Sequence, residues 1–432
     1  MDKKIKIVLA FSLVANSLLA ENMDMVDLSD KKRDRVPSVK KVIGQVGKTE
    51  TKEIDTVEKF KHMFSDGKVT GQVRMMYAGY DKKESGEKDT YATAIGGGLK
   101  YELASLYGFN GGIAFRTSQD LAFATGKQSD GEQNDELSSS KGNYTDMSEA
   151  YINYKYEDFN FRAGRQVLDT PLADSDDVRM VPNTFEAYVA TYDLDKVSFM
   201  FGNIQSWQGF DAGLDDGWVK DSGVSGTTFG GISYADKLIE CSAWYYNASK
   251  NANAFYADMG LNYNFSKNYS IHGGLQYLNE SELDNSGYEA DIYGALVEFV
   301  AYDIGFNIAY NKAAKKIGKH SFSGTGGGTM FTSMDTMIID EIADDRDASA
   351  IVGGLSYEIG DFGFLYAYGD FTGDKNTLGE KAHIVEQDIG GGYNVDDKFV
   401  VAAVFVMQED KEHTPKTEND WNRLQVMLNY NF

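Results

Sequence analysis

Runs in which apolar and polar residues alternate one by one follow each other from residue 68 to the end of the chain. In the runs 253–265 and 302–312, aromatic and aliphatic side chains occupy every second position, with small or polar residues between them. A period of two places alternate side chains on opposite faces of a β-strand. The chain is therefore expected to fold mainly as a sheet with one apolar and one polar face.

Eighteen such runs can be counted, each bounded by turn residues. The predicted strands are 68–81, 89–103, 107–118, 145–156, 158–168, 184–193, 196–206, 225–235, 238–247, 253–265, 268–279, 287–300, 302–312, 347–359, 361–371, 383–394, 398–408 and 421–432. Tight turns alternate with mostly longer connections, the longest being about 119–144 and 313–346. An even strand number with short turns on one side and long loops on the other is the plan of a membrane barrel. The sequence predicts an all-β fold, a transmembrane antiparallel β-barrel over residues 68–432.

Other features of the sequence agree with a barrel. After the N-terminus no apolar run reaches 18 residues, so no membrane-spanning helix is expected. Aromatic residues end the apolar rows, as in the girdles of membrane barrels. Pairing of 68–81 with 421–432 would leave no unpaired edge in lipid. The alternating ending, which closes on Phe432, resembles the signal read by the outer-membrane assembly machinery.

The N-terminal part of the chain differs in character from the strand-like part. Residues 1–20 combine a basic start, an apolar stretch at 7–19 and the small residue Ala20, which predicts a signal peptide. Residues 21–67 are expected to be a periplasmic segment, with a short amphipathic helix at 54–64. Both ends of the mature chain would then lie in the periplasm, and the barrel in the cell outer membrane.

The chain is acidic, with a formal net charge of −24. This charge argues against nucleic acid as a partner. Many acidic residues fall in the predicted long loops, which predicts a preference for cations at low salt: Asp130, Glu132, Asp135, Glu136, Asp215, Asp216, Asp344 and Asp345.

The segment 158–192 has the most distinctive sequence, DFNFRAGRQVLDTPLADSDDVRMVPNTFEAYVATY. Two strand-like runs flank a loop that contains two of the four prolines, Pro171 and Pro182. A long, stiffened loop between neighbouring strands is usually functional. The stretch GRQVLDTPLADSDDVRMVPNTFEAY resembles the third-loop segment of the OprD-like family of Gram-negative outer-membrane porins, and most of all its epsilonproteobacterial branch.

The resemblance implies that this third loop folds into the barrel and narrows the pore. The implied constriction residues are Asp169, Asp174, Asp176, Asp177 and Arg179. Strand alternation points four arginines into the lumen, since a charge facing lipid at mid-membrane would cost about 2–4 kcal/mol; they are Arg74, Arg116, Arg162 and Arg423. In the family such residues form a basic ladder that faces the acidic loop, and we expect Arg179 to pair with one of the loop carboxylates.

Other interpretations of these charges remain open. The arginines also fit solvated barrel charges that pair with Glu149, Glu186 or Glu240 and have no transport role. The aspartates of the loop lack the ordered twelve-residue spacing of a calcium loop, so no metal is expected. No Gly-x-Ser-x-Gly motif or His-x-x-x-His pair is present, so neither an enzyme nor a cofactor is expected.

The function that the resemblance implies is a passive or substrate-selective channel for small hydrophilic solutes, such as amino acids, small carboxylates and ions. The expected partners are these solutes and outer-membrane lipids. A surface adhesin built on a plugged barrel is the alternative. Related porins occur as monomers or trimers, so a homotrimer stays open, as does the identity of the solute.

Overall fold

The computed structural model describes residues 56–223, 225–326 and 328–432. The predicted signal peptide 1–20 and residues 21–55 of the predicted periplasmic segment lie outside the described residues. Helix α1 (Thr56–Ser65) precedes the first strand, and the Met63 carbonyl accepts a hydrogen bond of 2.9 Å from Ala104 N. This contact fixes the helix against a short turn of the sheet. No helix among the described residues is long and apolar enough to cross a membrane.

The described residues form twenty-one strands, three of which have only two residues. They are β1 (Lys68–Lys82), β2 (Thr90–Glu102), β3 (Phe109–Asp120), β4 (Asn143–Tyr156), β5 (Phe159–Gln166), β6 (Asp169–Thr170), β7 (Ala173–Asp174), β8 (Thr184–Leu194), β9 (Val197–Gln208), β10 (Val219–Lys220), β11 (Thr227–Ala235), β12 (Ile239–Ala248), β13 (Ala252–Ser266), β14 (Tyr269–Glu282), β15 (Ala290–Ala301), β16 (Ile304–Ala313), β17 (Ala348–Ile359), β18 (Phe362–Gly373), β19 (Ala382–Asn394), β20 (Phe399–Asp410) and β21 (Trp421–Asn431). A 3₁₀ turn (Gln128–Asp130) and helix α2 (Ile339–Ile342) lie in loops.

The eighteen long strands close into one antiparallel barrel. Each long strand pairs with the next along the chain, and β21 returns to β1 in a register from Gln72 opposite Asn431 to Lys82 opposite Trp421. The short strands β6, β7 and β10 lie within loops, so β5 pairs with β8 and β9 with β11. The predicted all-β antiparallel barrel of eighteen strands is confirmed.

The connections alternate in length, as predicted. Turns such as 157–158 and 302–303 are tight, and their first residues, Glu157 and Tyr302, adopt a left-handed backbone. At the other end lie the second loop (121–142), the third loop (167–183) and the seventh loop (314–347). The main differences from the predicted strands are at this end, where β4, β14 and β20 extend further than expected and β5, β11 and β15 are shorter. Polar residues interrupt the alternating hydropathy from which a strand is predicted, but the backbone hydrogen bonds between two strands can continue past them.

The two faces of the barrel differ in burial. On β1, Val73 and Met75 are exposed on the outer face, while Arg74 between them is completely buried. Exposed tyrosines mark both ends of the outer face: Tyr188, Tyr245, Tyr277, Tyr293 and Tyr310 towards the long loops, and Tyr192, Tyr263, Tyr302, Tyr357 and Tyr430 towards the short turns. These rows fit the two interfaces of a bilayer.

The buried apolar core lies inside the barrel. Met330, Met334 and Met337 of the seventh loop belong to the same apolar cluster as inner-face residues that include Leu278 and Phe371. Full burial of a methionine side chain contributes about 1.5–3 kcal/mol relative to exposure. The seventh loop is therefore held in the lumen by apolar packing as well as by polar contacts.

The two faces predict different responses to charge. The substitution Ile308→Arg, on the outer face of β16, should lower the free energy of unfolding in lipid by about 2–4 kcal/mol. The control Asn307→Arg introduces the same charge on the inner face one residue away and should have little effect. Urea titration of both variants in phospholipid vesicles measures the difference. Equal destabilisation would contradict the assignment of the faces.

Candidate functional site in the barrel lumen

The third loop begins with a tight hairpin. β6 and β7 pair Asp169 with Asp174 and Thr170 with Ala173, and the Thr170 hydroxyl bonds to both backbone groups of Ala173 at 3.1 Å. Pro171 pre-sets the backbone at the turn. Next to it, Leu172 N donates a hydrogen bond of 3.3 Å to the hydroxyl of Tyr246 on β12. One side of the third loop is thus attached to a strand that is not its neighbour in sequence.

The other side of the third loop contacts the strands at the barrel closure. Arg74 on β1 binds both carboxylate oxygens of Asp177, with Nη1–Oδ1 at 2.8 Å and Nη2–Oδ2 at 3.1 Å. Its Nε donates to Asn429 Oδ1 at 3.0 Å, and Nη1 also donates to the Arg179 carbonyl. A bidentate arginine–carboxylate pair is among the strongest and most directional ion pairs in proteins. Arg74 therefore fixes the tip of the third loop against the inner face.

A second buried arginine joins two further loops to the same wall. Arg423 on β21 pairs with Glu136 of the second loop and with Asp335 of the seventh loop. Arg179 Nε lies 2.8 Å from Glu136 as well. The expected pairing of Arg179 with a carboxylate of its own loop is therefore replaced by a pairing with the second loop. The reason is that the second loop also folds inwards, which brings Glu136 between two guanidinium groups.

Two further aspartates of the third loop, Asp169 and Asp174, belong to the hairpin at its start. Asp174 pairs with Asp169 across the hairpin, and its Oδ1 accepts a hydrogen bond of 3.1 Å from Asp176 N. Burial, together with the negative charge of Asp169, raises the pKa of Asp174 to about 7. Of the predicted constriction aspartates, Asp177 is the one that the described residues join to a ladder arginine by a direct ion pair.

Arg116 and Arg162 lie further along the inner wall and contact none of the loop aspartates. Arg162 Nε donates to Asn153 Oδ1 at 3.2 Å, and its guanidinium lies 4.3 Å from the centre of the Tyr151 ring. Arg116 Nε and Nη1 have no hydrogen-bond partner within the described residues. On the same wall Lys100 pairs with the buried Glu149 at 2.8 Å, which leaves Arg116 and Arg162 as cations of this wall that form no ion pair with a described residue.

An acidic inner face lies across the ring of strands from β3. Glu240, Asp258 and Glu298 on β12, β13 and β15 alternate with outward-facing apolar residues. His272 lies on the same face, with its Nδ1 2.9 Å from Asn262 Oδ1 and 3.8 Å from Glu240 Oε1. The sequence analysis predicted the basic residues of the lumen but not this acidic face. The alternation of inward and outward residues along β12, β13 and β15 would have located it.

The seventh loop is bound to the inner wall by backbone N–H groups. Thr336 N donates to Glu386 Oε1 at 3.0 Å, and Asp335 N donates to Asp388 Oδ2 at 3.2 Å. Thr332 N donates to Asn311 Oδ1, also at 3.0 Å. No signal in the sequence of the loop indicated these partners, because each is an isolated polar residue on a distant strand.

The third and seventh loops are also joined to each other. Thr325 N donates to the Leu172 carbonyl at 2.9 Å, and Asp174 N donates to the Thr325 carbonyl at 3.3 Å. The Thr329 hydroxyl donates to the Pro171 carbonyl. The two loops therefore form one continuous structure across the lumen. Within the described residues, no group of three or more His, Cys, Asp or Glu side chains is arranged to hold a metal.

Comparison with known proteins finds similarity at the level of structure. No family model and no curated protein matches the chain. OpdK of Pseudomonas aeruginosa, solved with vanillate, superposes with a TM-score of 0.71 at 13% identity, over 86% of this chain and 99% of that chain. OccAB3 of Acinetobacter baumannii gives 0.72 at 13% identity, over 85% and 99%. A BenF-like porin of Pseudomonas fluorescens Pf-5 gives 0.73 at 11% identity, over 86% and 99%.

These similarities define the class of fold, which is that of an eighteen-stranded outer-membrane porin. More particularly, it is the fold of the OprD/Occ channels, to which the sequence of the third loop pointed. The epsilonproteobacterial branch and the roles of the individual residues stay predictions.

The ion pair at the tip of the third loop leads to a first prediction for this site. Asp177→Asn leaves the buried Arg74 guanidinium without its counter-charge, which should cost about 3–5 kcal/mol of stability. The matched control is Asp81→Asn, which breaks the exposed pair with Lys83 and should cost about 0–1 kcal/mol. Thermal unfolding in detergent reports both. A loss no larger in Asp177→Asn than in the control would show that this pair does not hold the loop.

The buried Asp174 carboxyl leads to a prediction about pH. Its raised pKa means that the folded loop keeps a proton that an unfolded loop releases, so stability falls as pH rises from about 4 through 7. Asp174→Asn removes the titration and should stabilise the protein much more at about pH 9 than at about pH 5. Melting temperatures at both pH values, with the exposed Asp216→Asn as control, test this. The same effect at both pH values would contradict it.

Proposed function

We propose that the protein is an outer-membrane channel for small hydrophilic solutes, with selectivity set where the third and seventh loops cross the lumen. The observation that carries this function is the lumen itself. A closed barrel of eighteen strands encloses a basic face at Arg116 and Arg162 and an acidic face at Glu240 and Glu298. Barrels of this size have room for an aqueous passage beside their inward loops.

The two charged faces suggest the class of solute. A solute that carries both a carboxylate and an ammonium group would find a counter-charge on each side of the passage without losing all of its water. Amino acids, small carboxylates and ions are the proposed solutes. OpdK is solved with the small solute vanillate, which supports a small organic acid among them.

We also propose an orientation of the barrel in the outer membrane. The short turns and both chain ends would face the periplasm, and the long loops the outside. Residues 1–20 would direct secretion, and 21–67 would stay on the periplasmic side. The aromatic ending of β21 would serve recognition by the assembly machinery, and assembly as a homotrimer stays open beside the monomer.

A second function is favoured by one observation. The second, third and seventh loops meet at Arg423, Glu136 and Arg179 inside the barrel, as in a barrel that is closed by its own loops. An adhesin on a plugged barrel would have this arrangement. Planar-bilayer recording separates the two functions, because a steady single-channel current excludes a sealed barrel. A liposome-swelling panel of amino acids, dicarboxylates and sugars then identifies the solute.

The two faces predict opposite changes in ion selectivity. The acidic loops should give the native channel a preference for cations at low salt, which salt screens over about 10 Å at 0.1 M. Arg116→Gln should strengthen this preference, and Glu240→Gln on the acidic face should weaken it. Reversal potentials in a salt gradient measure both, and the two variants serve as controls for each other. Shifts of the same sign would mean that the faces do not line the path.

The third loop can be tested by deletion. Removal of residues 172–181 should raise the single-channel conductance, because it takes away the hydrogen bonds to Thr325 and the ion pair with Arg74 that hold the loop across the lumen. A correctly assembled barrel with unchanged conductance would place the constriction elsewhere.

A further inference from the structure

A separate pair of carboxylates lies where the seventh loop meets β14. Ser321 Oγ is 3.1 Å from Glu280 Oε2 and 3.2 Å from Asp340 Oδ2, so the two acidic side chains meet at one hydroxyl. Glu280 is 1% exposed, and its Oε2 also accepts a hydrogen bond of 2.7 Å from Phe322 N. None of these residues takes part in the ion pairs around Arg74 and Arg423.

The hydrogen bonds at this pair do not satisfy its acceptors. A serine hydroxyl has one hydrogen, so it can donate to only one of the two carboxylates. Glu280 Oε1 and Asp340 Oδ1 are buried and have no hydrogen-bond partner within the described residues. Burial raises the pKa of Asp340, and the hydroxyls of Ser323 and Ser321 act in the opposite direction. A buried carboxylate oxygen without a partner costs free energy, so something must compensate these two.

Within the part of the chain that the structure describes, no positive side chain compensates these two oxygens. Among the described residues, no Lys, Arg or His forms an ion pair with Glu280 or Asp340. The nearest basic residues along the chain are engaged elsewhere, since Lys319 pairs with Glu282 and His320 lies 4.0 Å from Asp344. The two carboxylates, each with one buried oxygen that lacks a described hydrogen-bond partner, therefore lie together without a described counter-charge.

We propose that a hard divalent cation, of which Ca²⁺ is the best fit, binds between Glu280 and Asp340 with the Ser321 hydroxyl as a further ligand. All available donors are oxygens, which Ca²⁺ and Mg²⁺ prefer, and Ca²⁺ tolerates irregular sets of about 6–8 ligands. Two carboxylates neutralise its charge, and water oxygens complete its coordination. The cation connects the inner face of β14 to helix α2 and so holds this side of the seventh loop.

Binding of Ca²⁺ by the full-length protein tests the site directly. In detergent micelles after removal of divalent ions, isothermal titration with CaCl₂ should detect one site per chain that is at least about tenfold weaker in Glu280→Gln and in Asp340→Asn. The matched control is Asp291→Asn on the adjoining strand β15, whose carboxylate pairs with Lys316 and should leave this site unchanged. Heat-modifiable gel mobility confirms that each variant is assembled.

A second measurement needs no variant. Ca²⁺ should slow tryptic cleavage within residues 314–347 of the wild-type protein relative to a chelator, and MgCl₂ should act more weakly. Protection that persists in both variants would overturn the site. A titration without a saturable site would overturn it as well. Both readouts are independent of conductance, so failure here leaves the channel function untouched, and the reverse also holds.

Discussion

Closure of the sheet between its first and last strands is the constraint on which the rest of the structure depends. Hydrocarbon offers no hydrogen bonds to the backbone, so a sheet that crosses a membrane must leave no edge. The register of β1 with β21 meets this requirement over eleven residue pairs, from Gln72 with Asn431 to Lys82 with Trp421. Because the backbone is satisfied within the ring, the side chains are free to specialise: the outer face for lipid, the inner face for charge.

The closure seam also organises the interior. Arg74 and Arg423 stand on the two strands that meet there, and together they hold the second, third and seventh loops through Asp177, Glu136 and Asp335. Completion of the barrel and docking of the loops are therefore linked, since a barrel without its last strand would lack Arg423. The apolar packing of the seventh loop on the opposite wall adds stability that does not depend on charge.

Features that depend on neighbouring residues could be predicted from the sequence, whereas contacts between residues far apart in the chain could not. The strands follow from a local period of two, and the inward direction of Arg74 follows from its exposed neighbours Val73 and Met75. The contacts of the loops do not follow in this way. Glu136 reads as an acidic residue at the mouth, and only the inward fold of the second loop brings it to Arg179. Glu386 and Asp388 read as ordinary polar positions until the seventh loop is placed against them.

The inward position of parts of the long loops determines which segments are accessible at this end of the barrel. Few residues of the seventh loop are exposed, whereas the short connections 83–89, 374–381 and 411–420 are mostly exposed. With the long loops facing outwards, as proposed, an antibody, a bacteriophage or a protease would meet exposed segments such as these first. Sequence change in them leaves the contacts inside the lumen in place, because those contacts are made by inward parts of the second, third and seventh loops. The exposed connections and the contacts inside the lumen thus belong to different parts of the chain.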